Sequence, residues 1–261
     1  MSAEIVTRTD QTFGSWCVFC GDYYHGMTRF DAMLTGTRGC QRCVREGASV
    51  RLQGAKTEDI VFDGIIFDCE IERGVRPKKQ QPQLGIEYSN GWQDFRGMGI
   101  SVIGAYDYVE NIYRVFCKDN FDEFKKLIHT RKWVVGFNSR GFDEPLVRVH
   151  GCAVPEAKSY DILVEVWRAA GLPLEFTPHL HRGYGLGPLC TANFDVAKSG
   201  DGALAPVLWQ QGKIGTVIDY CLHDVWLTKR LMDRVLTEGV LSSPKGLGRL
   251  DILKPGSETR R

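Results

Sequence analysis

The sequence predicts an α/β fold with a mixed sheet flanked by helices, preceded by a small cysteine-bearing unit. Three observations predict it. From Val61 onward, strand-like apolar runs come first, then helix-like and strand-like runs in alternation, then a long helical stretch at the end. Four of the nine cysteines stand in two C-x2-C pairs near the N-terminus. Between these regions lies EGASVRLQGAKTED, which is polar and short of large apolar residues, as a linker is. The expected organisation is therefore a metal ribbon over 13–46, a linker over 47–59, the α/β domain over 60–240 and a C-terminal tail over 241–261.

Each element has its own justification. Residues 1–12 read as a loose leader, and MSAEIVTRTDQ carries no basic segment followed by an apolar one, so no secretory signal is expected. IVFDGIIFDCEI reads as a strand, and RGVRPKKQQPQLG as a long loop. ISVIGAYDYV and NIYRVFCK read as two strands joined by a turn. FDEFKKLIHT has helical spacing and KWVVGFN reads as a buried strand. FDEPLVRVHG opens another helix, with Pro145 tolerated in its first turn. DILVEVWRAAG reads as a helix stopped by Gly171, with Asp161 as its N-cap. In the stretch from Ile214 to Gly239, Ile218, Leu222, Val225, Met232 and Leu236 form one stripe, which predicts a long helix ended by Gly239.

Composition narrows the function classes. With 261 residues, 43% apolar, and 33 Lys plus Arg against 32 Asp plus Glu, the chain reads as an ordinary globular protein rather than a collagen-like or disordered one. No run approaches the ~20 apolar residues that cross a bilayer, so no membrane partner is expected. The charge is unevenly spread. Arg38, Arg42, Arg45, Arg51 and Lys56 form one basic cluster, Arg73, Arg76, Lys78 and Lys79 a second, and Arg260 and Arg261 end the chain. Local basic patches suit phosphate binding, although solvated loop charges account equally for any one of them.

Cys17, Cys20, Cys40 and Cys43 have nineteen residues between the pairs, the spacing of a four-thiolate zinc ribbon. A unit of ~30 residues builds too little core to fold alone, and one structural Zn²⁺ would supply ~10–16 kcal/mol. Such a closed site has no chemistry of its own. It implies a reducing compartment, such as the cytoplasm, and a role in binding nucleic acid or a partner. His25 becomes a ligand only if one cysteine is unused. Tyr23, Tyr24 and Phe30 suit base stacking or the ribbon's own core equally.

The acidic residues carry the chemistry. Asp68 and Glu70 in IIFDCEI are two apart on a predicted strand and share a face, so two carboxylates emerge from a buried apolar run. Burying two anions is unfavourable unless a cation or hydrogen bonds compensate, and hard oxygen ligands suit Mg²⁺ or Mn²⁺. Asp143 follows an apolar strand and a Gly-containing loop at a helix start. Tyr220 and Asp224 lie four apart on the last helix and share a face. Each has an ordinary structural alternative taken singly: an edge-strand acid, a helix cap, a solvated helix face.

Their order and context resemble the DEDD superfamily of 3′–5′ exonucleases, tyrosine subtype, which has an RNase H-like fold. The closest resemblance is to the predicted exonuclease domains similar to those of B-family DNA polymerases. It rests on Asp68-x-Glu70, on VGFN…FDEPLV with Asp143, and on Tyr220-x3-Asp224, together with the KSG, AP, WQQG and DYC stretches from Lys198 to Val225. It spans residues 60–238 and excludes the ribbon. The histidine subtype would want His at position 219, which is Asp219, and His223 has the wrong spacing.

The resemblance implies a hydrolase acting at single-stranded DNA or RNA 3′ ends, within a replication or repair setting, with DNA the preferred substrate. It implies two Mg²⁺ or Mn²⁺ held by Asp68, Glu70, Asp143 and Asp224, with Tyr220 orienting the attacking water. Asn138 and Phe142 are candidates for substrate contact, and Lys198 for a phosphate, although a solvated loop lysine fits too. Tyr184 and Leu186 in RGYGLG are candidates to flank substrate. Cys69, Cys221 and Trp209 read as core. Three alternatives stay open: an exoribonuclease, an endonuclease, and a non-catalytic module that binds nucleic acid or protein.

Overall fold

A computed structural model describes residues 60–76, 81–196, 198, 202–246 and 248–257, and the backbone of two short strands. Those strands, β1 (Phe13–Trp16) and β2 (Tyr23–Met27), pair antiparallel. The candidate zinc ligands Cys17, Cys20, Cys40 and Cys43 lie outside the described residues.

The domain is built on β3 (Gly64–Ile71). After it come a one-turn helix α1 (Phe95–Met98), β4 (Ile100–Asp107) and β5 (Ile112–Phe116), then α2 (Phe121–Thr130) and β6 (Trp133–Gly136). Next are α3 (Asp143–Val149), β7 (Ser159–Asp161), α4 (Ile162–Ala169), α5 (Pro178–His181), α6 (Leu186–Phe194) and α7 (Ala205–Gln210). The long helix α8 (Ile214–Glu238) follows, then a hairpin of β8 (Val240–Ser242) and β9 (Arg249–Asp251). The main sheet has five strands in the order β5-β4-β3-β6-β7. β3 runs antiparallel to β4 and parallel to β6, and β6 runs parallel to β7, so the sheet is mixed with β3 at its centre. This arrangement is compatible with an RNase H-like fold.

The alternation of β3 assigns its two faces. Ile65, Phe67, Cys69 and Ile71 pack on one side with Phe124 and Ile128 of α2 and Leu146 and Val147 of α3. Ile66 faces the other core, built from α4, α6 and α8 and closed by Leu241, Leu250 and Ile252. Period-two alternation therefore sends Asp68 and Glu70 toward α8. The sheet is thus sandwiched, and its central strand changes from apolar to acidic on one face only.

Three differences from the sequence reading have physical causes. The first strand begins at Gly64 rather than Ile60, because the Phe62 ring folds over Gly64, where a Cβ would lie 2.1 Å from it. The C-terminal tail is a hairpin over 240–251 whose Leu241 and Leu250 complete the core. Tyr184 and Leu186 do not flank a cleft: both are buried in the core beneath α6. The long helix ends as expected, at Gly239 in the left-handed conformation with φ 69°. No helix among the described residues is long and apolar enough to cross a membrane.

Candidate active site

The parallel strands β3, β6 and β7 end on the same side of the sheet, and the loops leaving them build the site. β3 delivers Asp68, half-buried, and Glu70, buried. β6 ends at Gly136, where a Cβ would stand 2.4 Å from that of Ser139, so the loop folds back at once. Asn138 then takes a left-handed φ of 62°. Asp161, at the end of β7, holds this loop: Oδ1 accepts from the Asn138 amide at 2.9 Å and Oδ2 from the Arg140 amide at 3.0 Å. Oδ1 also accepts from Leu163 N at 2.9 Å, capping α4.

The turn places Asp143 in the first residue of α3, with Phe142 and not Asp143 at the N-cap. The Asp143 side chain reaches across to β3, where its Oδ1 accepts the amide of Cys69 at 3.0 Å, between the two acids of the strand. Phe142 packs edge-on against Phe95 with ring centroids 6.0 Å apart. The side chain of Asn138 is exposed, while its backbone N–H belongs to the Asp161 clamp.

From the opposite side, α8 supplies Tyr220, Cys221 and Asp224. The Cys221 thiol donates to the Asp68 carbonyl at 3.4 Å and to Asp68 Oδ2 at 3.7 Å, and its Sγ accepts the Gly104 amide at 3.2 Å. Gly104 is required here, since a Cβ would meet that sulfur at 2.9 Å. Asp68, Glu70 and Cys221 each offer a ligand atom, and the three lie within 4.8 Å of one another, a group able to hold a metal ion. Asp224 is buried, with Oδ2 paired to Lys198 Nζ at 2.6 Å. Lys198 is therefore not a solvated loop lysine, and it also lies over the Tyr220 ring, 5.1 Å from the centroid. The Asp224 Oδ1 and Tyr220 Oη atoms are buried without a hydrogen-bond partner among the described residues. His223 stacks on Trp226.

The electrostatics follow from burial and mutual repulsion. Burial, then Asp224, push the Asp68 carboxyl up to about 8. Burial, then Asp68 and Asp224, raise Glu70 well above the usual carboxylate range. Burial and Asp68 raise Asp143, against the pull of the Cys69 amide. Burial raises Asp224, and Lys198 opposes it. Burial lowers the Lys198 ammonium, but Asp224 and Tyr220 outweigh burial and hold it above the usual lysine range. Burial and Asp224 raise the Tyr220 phenol, so it stays protonated near neutral pH. Among the described residues a single ammonium thus faces carboxylates that repel one another, and one buried carboxylate oxygen has no hydrogen-bond partner. A buried anion so placed is the donor a divalent cation completes, and the oxygen donors fit a hard ion.

Two residues near the site lie in stretches that the resemblance includes, although the sequence assigns neither of them a role there. Cys221 reads as core, and it is fully buried, yet its sulfur belongs to the metal-capable group. Gln210 bridges two segments: its Nε2 donates to the carbonyls of Glu72 at 2.9 Å and Glu87 at 3.0 Å, and its Oε1 accepts from Glu87 N at 2.8 Å. This amide fastens the loop after β3 to α7. Trp209 packs on the core, as expected.

No family model matches the chain, and no curated protein matches it. Among solved structures, it is similar to the family B DNA polymerase from the hyperthermophilic archaeon Pyrobaculum calidifontis. That similarity has a TM-score of 0.46 at 15% identity and covers 67% of this chain and 24% of the polymerase chain. The chain thus spans about a quarter of that polymerase.

Proposed function

We propose that this protein is a metal-dependent 3′–5′ exonuclease that removes nucleotides from single-stranded ends, with DNA as its substrate. The observation that carries the reading is the meeting of Asp68, Glu70, Asp143 and Asp224 at one end of the sheet, where, among the described residues, Lys198 brings the one ammonium and a buried Asp224 oxygen has no hydrogen-bond partner. The carboxylates of Asp68, Glu70, Asp143 and Asp224 would hold two Mg²⁺ or Mn²⁺. When bound, such ions activate water near neutral pH and offset the charge that develops on the leaving oxygen.

The chain's own residues do the rest. Hydrolysis adds a water oxygen to phosphorus, breaks the bond to the 3′ oxygen, and returns a proton to that oxygen, releasing a nucleoside 5′-monophosphate. Tyr220 keeps its proton, so its Oη orients the attacking water and does not act as a base. Lys198, beside Asp224, brings the positive charge that a phosphate meets as it enters. Asp161 fixes the loop that carries Asp143, and is a positioning residue. A terminal nucleotide is unstacked before it reaches acids this deeply set, which selects single-stranded ends.

The test is direct. Single strands of DNA and RNA labelled at the 5′ end are incubated with the full chain and Mg²⁺ or Mn²⁺, alongside Asp68→Ala. A ladder shortening from the 3′ end, absent in the variant, supports the reading, and faster shortening of DNA supports the substrate. Retention of the strand with no shortening makes the chain a binding module. Cleavage of a circular single strand makes it an endonuclease.

A further inference from the structure

We infer that Cys221 converts the acidic cluster into a second kind of site, one that captures a thiophilic divalent ion such as Cd²⁺ or Zn²⁺ through Asp68, Glu70 and the Cys221 sulfur. It rests on the proposed function only in that the same acids serve both, and it is tested separately. Hard ions such as Mg²⁺ do not use a thiolate, whereas soft and borderline ions favour one. A buried thiol among carboxylates is therefore a selective element and not a neutral one.

The geometry is that of a ligand set. With metal–sulfur and metal–oxygen bonds of about 2.3 and 2.1 Å, tetrahedral ligands place sulfur and oxygen about 3.6 Å apart. Cys221 Sγ and Asp68 Oδ2 are 3.7 Å apart. Glu70 completes a group whose ligand atoms lie within 4.8 Å of one another. The sulfur is fixed in place by the Gly104 amide at 3.2 Å and the close approach of the Gly104 backbone. Independently, the Asp224 side chain is only 5% exposed and its Oδ1 has no hydrogen-bond partner among the described residues, which leaves an unpaired buried carboxylate oxygen one helical turn after Cys221 on α8. On binding, the thiol releases its proton to solvent and the ion is held by one thiolate and the carboxylate oxygens of Asp68 and Glu70.

The consequence is metal competition. A thiophilic ion seated on Cys221 holds Asp68 and Glu70 and keeps Mg²⁺ from them. The experiment titrates the full chain with Cd²⁺ and follows thiolate-to-cadmium charge-transfer absorption, for wild type, Cys221→Ser, Cys221→Ala and Asp68→Asn. The N-terminal cysteines contribute equally to all four, so the differences report this site. The wild type is expected to show about one more cadmium equivalent than either cysteine variant and than Asp68→Asn, which keeps the thiol in place. The Cd²⁺ concentration that halves Mg²⁺-supported cleavage, relative to each protein's own uninhibited rate, is expected to rise at least about tenfold in Cys221→Ser. Titrations that coincide for wild type and Asp68→Asn, or for wild type and whichever cysteine variant melts cooperatively, overturn the inference. A Cys221-dependent equivalent in a chain that shortens no strand leaves this site standing and removes the exonuclease. Shortening with coincident titrations does the reverse.

Discussion

The antiparallel pair β3 and β4 carries buried carboxylates at both of its ends, and the two ends treat them in opposite ways. At one end Asp107, paired in register with Ile65, has no exposed side-chain surface. Arg131 grips it with Nε on Oδ1 at 2.8 Å and Nη2 on Oδ2 at 2.6 Å, and the Val109 amide adds a third bond at 3.1 Å. Arg114 stands 3.5 Å away. At the other end Asp68, Glu70 and Asp224 share Lys198, and Asp224 Oδ1 has no partner among the described residues. Burial of charge is common to both ends, so burial does not mark function. What separates them is compensation. A fully paired carboxylate ties elements together, while an under-paired group stays ready for a cation from outside.

That contrast predicts opposite mutational signatures. If the chain has the proposed activity, Asp68→Asn is expected to reduce cleavage by at least ~1000-fold, since about 4 kcal/mol of transition-state stabilisation would go with a metal ligand. In chelator the same variant should melt no lower than wild type, because asparagine is neutral without having to take up a proton, as Asp68 must in the fold. A melting temperature several degrees lower would show that Asp68 is an ordinary structural acid. Asp107→Ala should do the converse. Leaving Arg131 with only the exposed carboxylate of Glu110 at 3.3 Å costs up to about 3–5 kcal/mol of stability, read by urea denaturation, while cleavage per folded molecule stays within twofold of wild type. A large loss of turnover in folded Asp107→Ala would end the distinction between the two ends.

Protonation sharpens the same comparison. Asp68 keeps its proton up to about pH 8 in the fold, against an ordinary value of 3.8. Between those values the folded chain binds more protons than the unfolded one, so its contribution to stability is present below about pH 4 and is lost as pH rises through about 8. Without metal, the melting temperature of wild type should therefore fall relative to Asp68→Asn from pH 5 to pH 8. Under the proposed function Mg²⁺ or Mn²⁺ would bind the ionised carboxylates, so the rise in melting temperature on adding metal should grow over the same range. A metal effect independent of pH would contradict the burial and repulsion that hold these protons.

Much of the site is legible in the sequence because it follows from local periodicity. The two-residue spacing of Asp68 and Glu70 puts them on one strand face, and the four-residue spacing of Tyr220 and Asp224 puts them on one helix turn. The N-cap at Asp161 and the stop at Gly239 are local as well. What is not legible comes from packing between distant segments. Cys221 meets Asp68 across 153 residues and Lys198 meets Asp224 from a separate loop, and neither encounter leaves a period in the sequence. The three-residue strand β7 is too short for alternation to register. Phe62 shortens β3 by covering Gly64, a side-chain event inside an otherwise plausible strand. Tyr184 misleads because a glycine-rich surrounding reads as a loop, while the ring itself is buried in the core.

The smallest effect tests whether the acidic end is tied down by neutral groups, as the far end is by Arg131. Gln210 makes three bonds to backbone atoms of residues 72 and 87, all partly or wholly exposed. Neutral bonds in such surroundings contribute about 1 kcal/mol together once water competes for the same atoms. Gln210→Ala should therefore lower the melting temperature by only about 2–4 °C. Its stronger signature is local. The Glu87 amide loses its acceptor, so its hydrogen exchange should accelerate, while amides of β4 keep wild-type protection. Unchanged exchange at Glu87 would mean that this loop is held by other contacts, chiefly Ser89 N to the Gly74 carbonyl at 2.9 Å and Arg73 N to the Met98 carbonyl at 2.9 Å. Faster exchange with slower cleavage would make the loop after β3 part of the path by which a strand reaches the acids, held there by an uncharged clamp that leaves the acids' own charge unanswered.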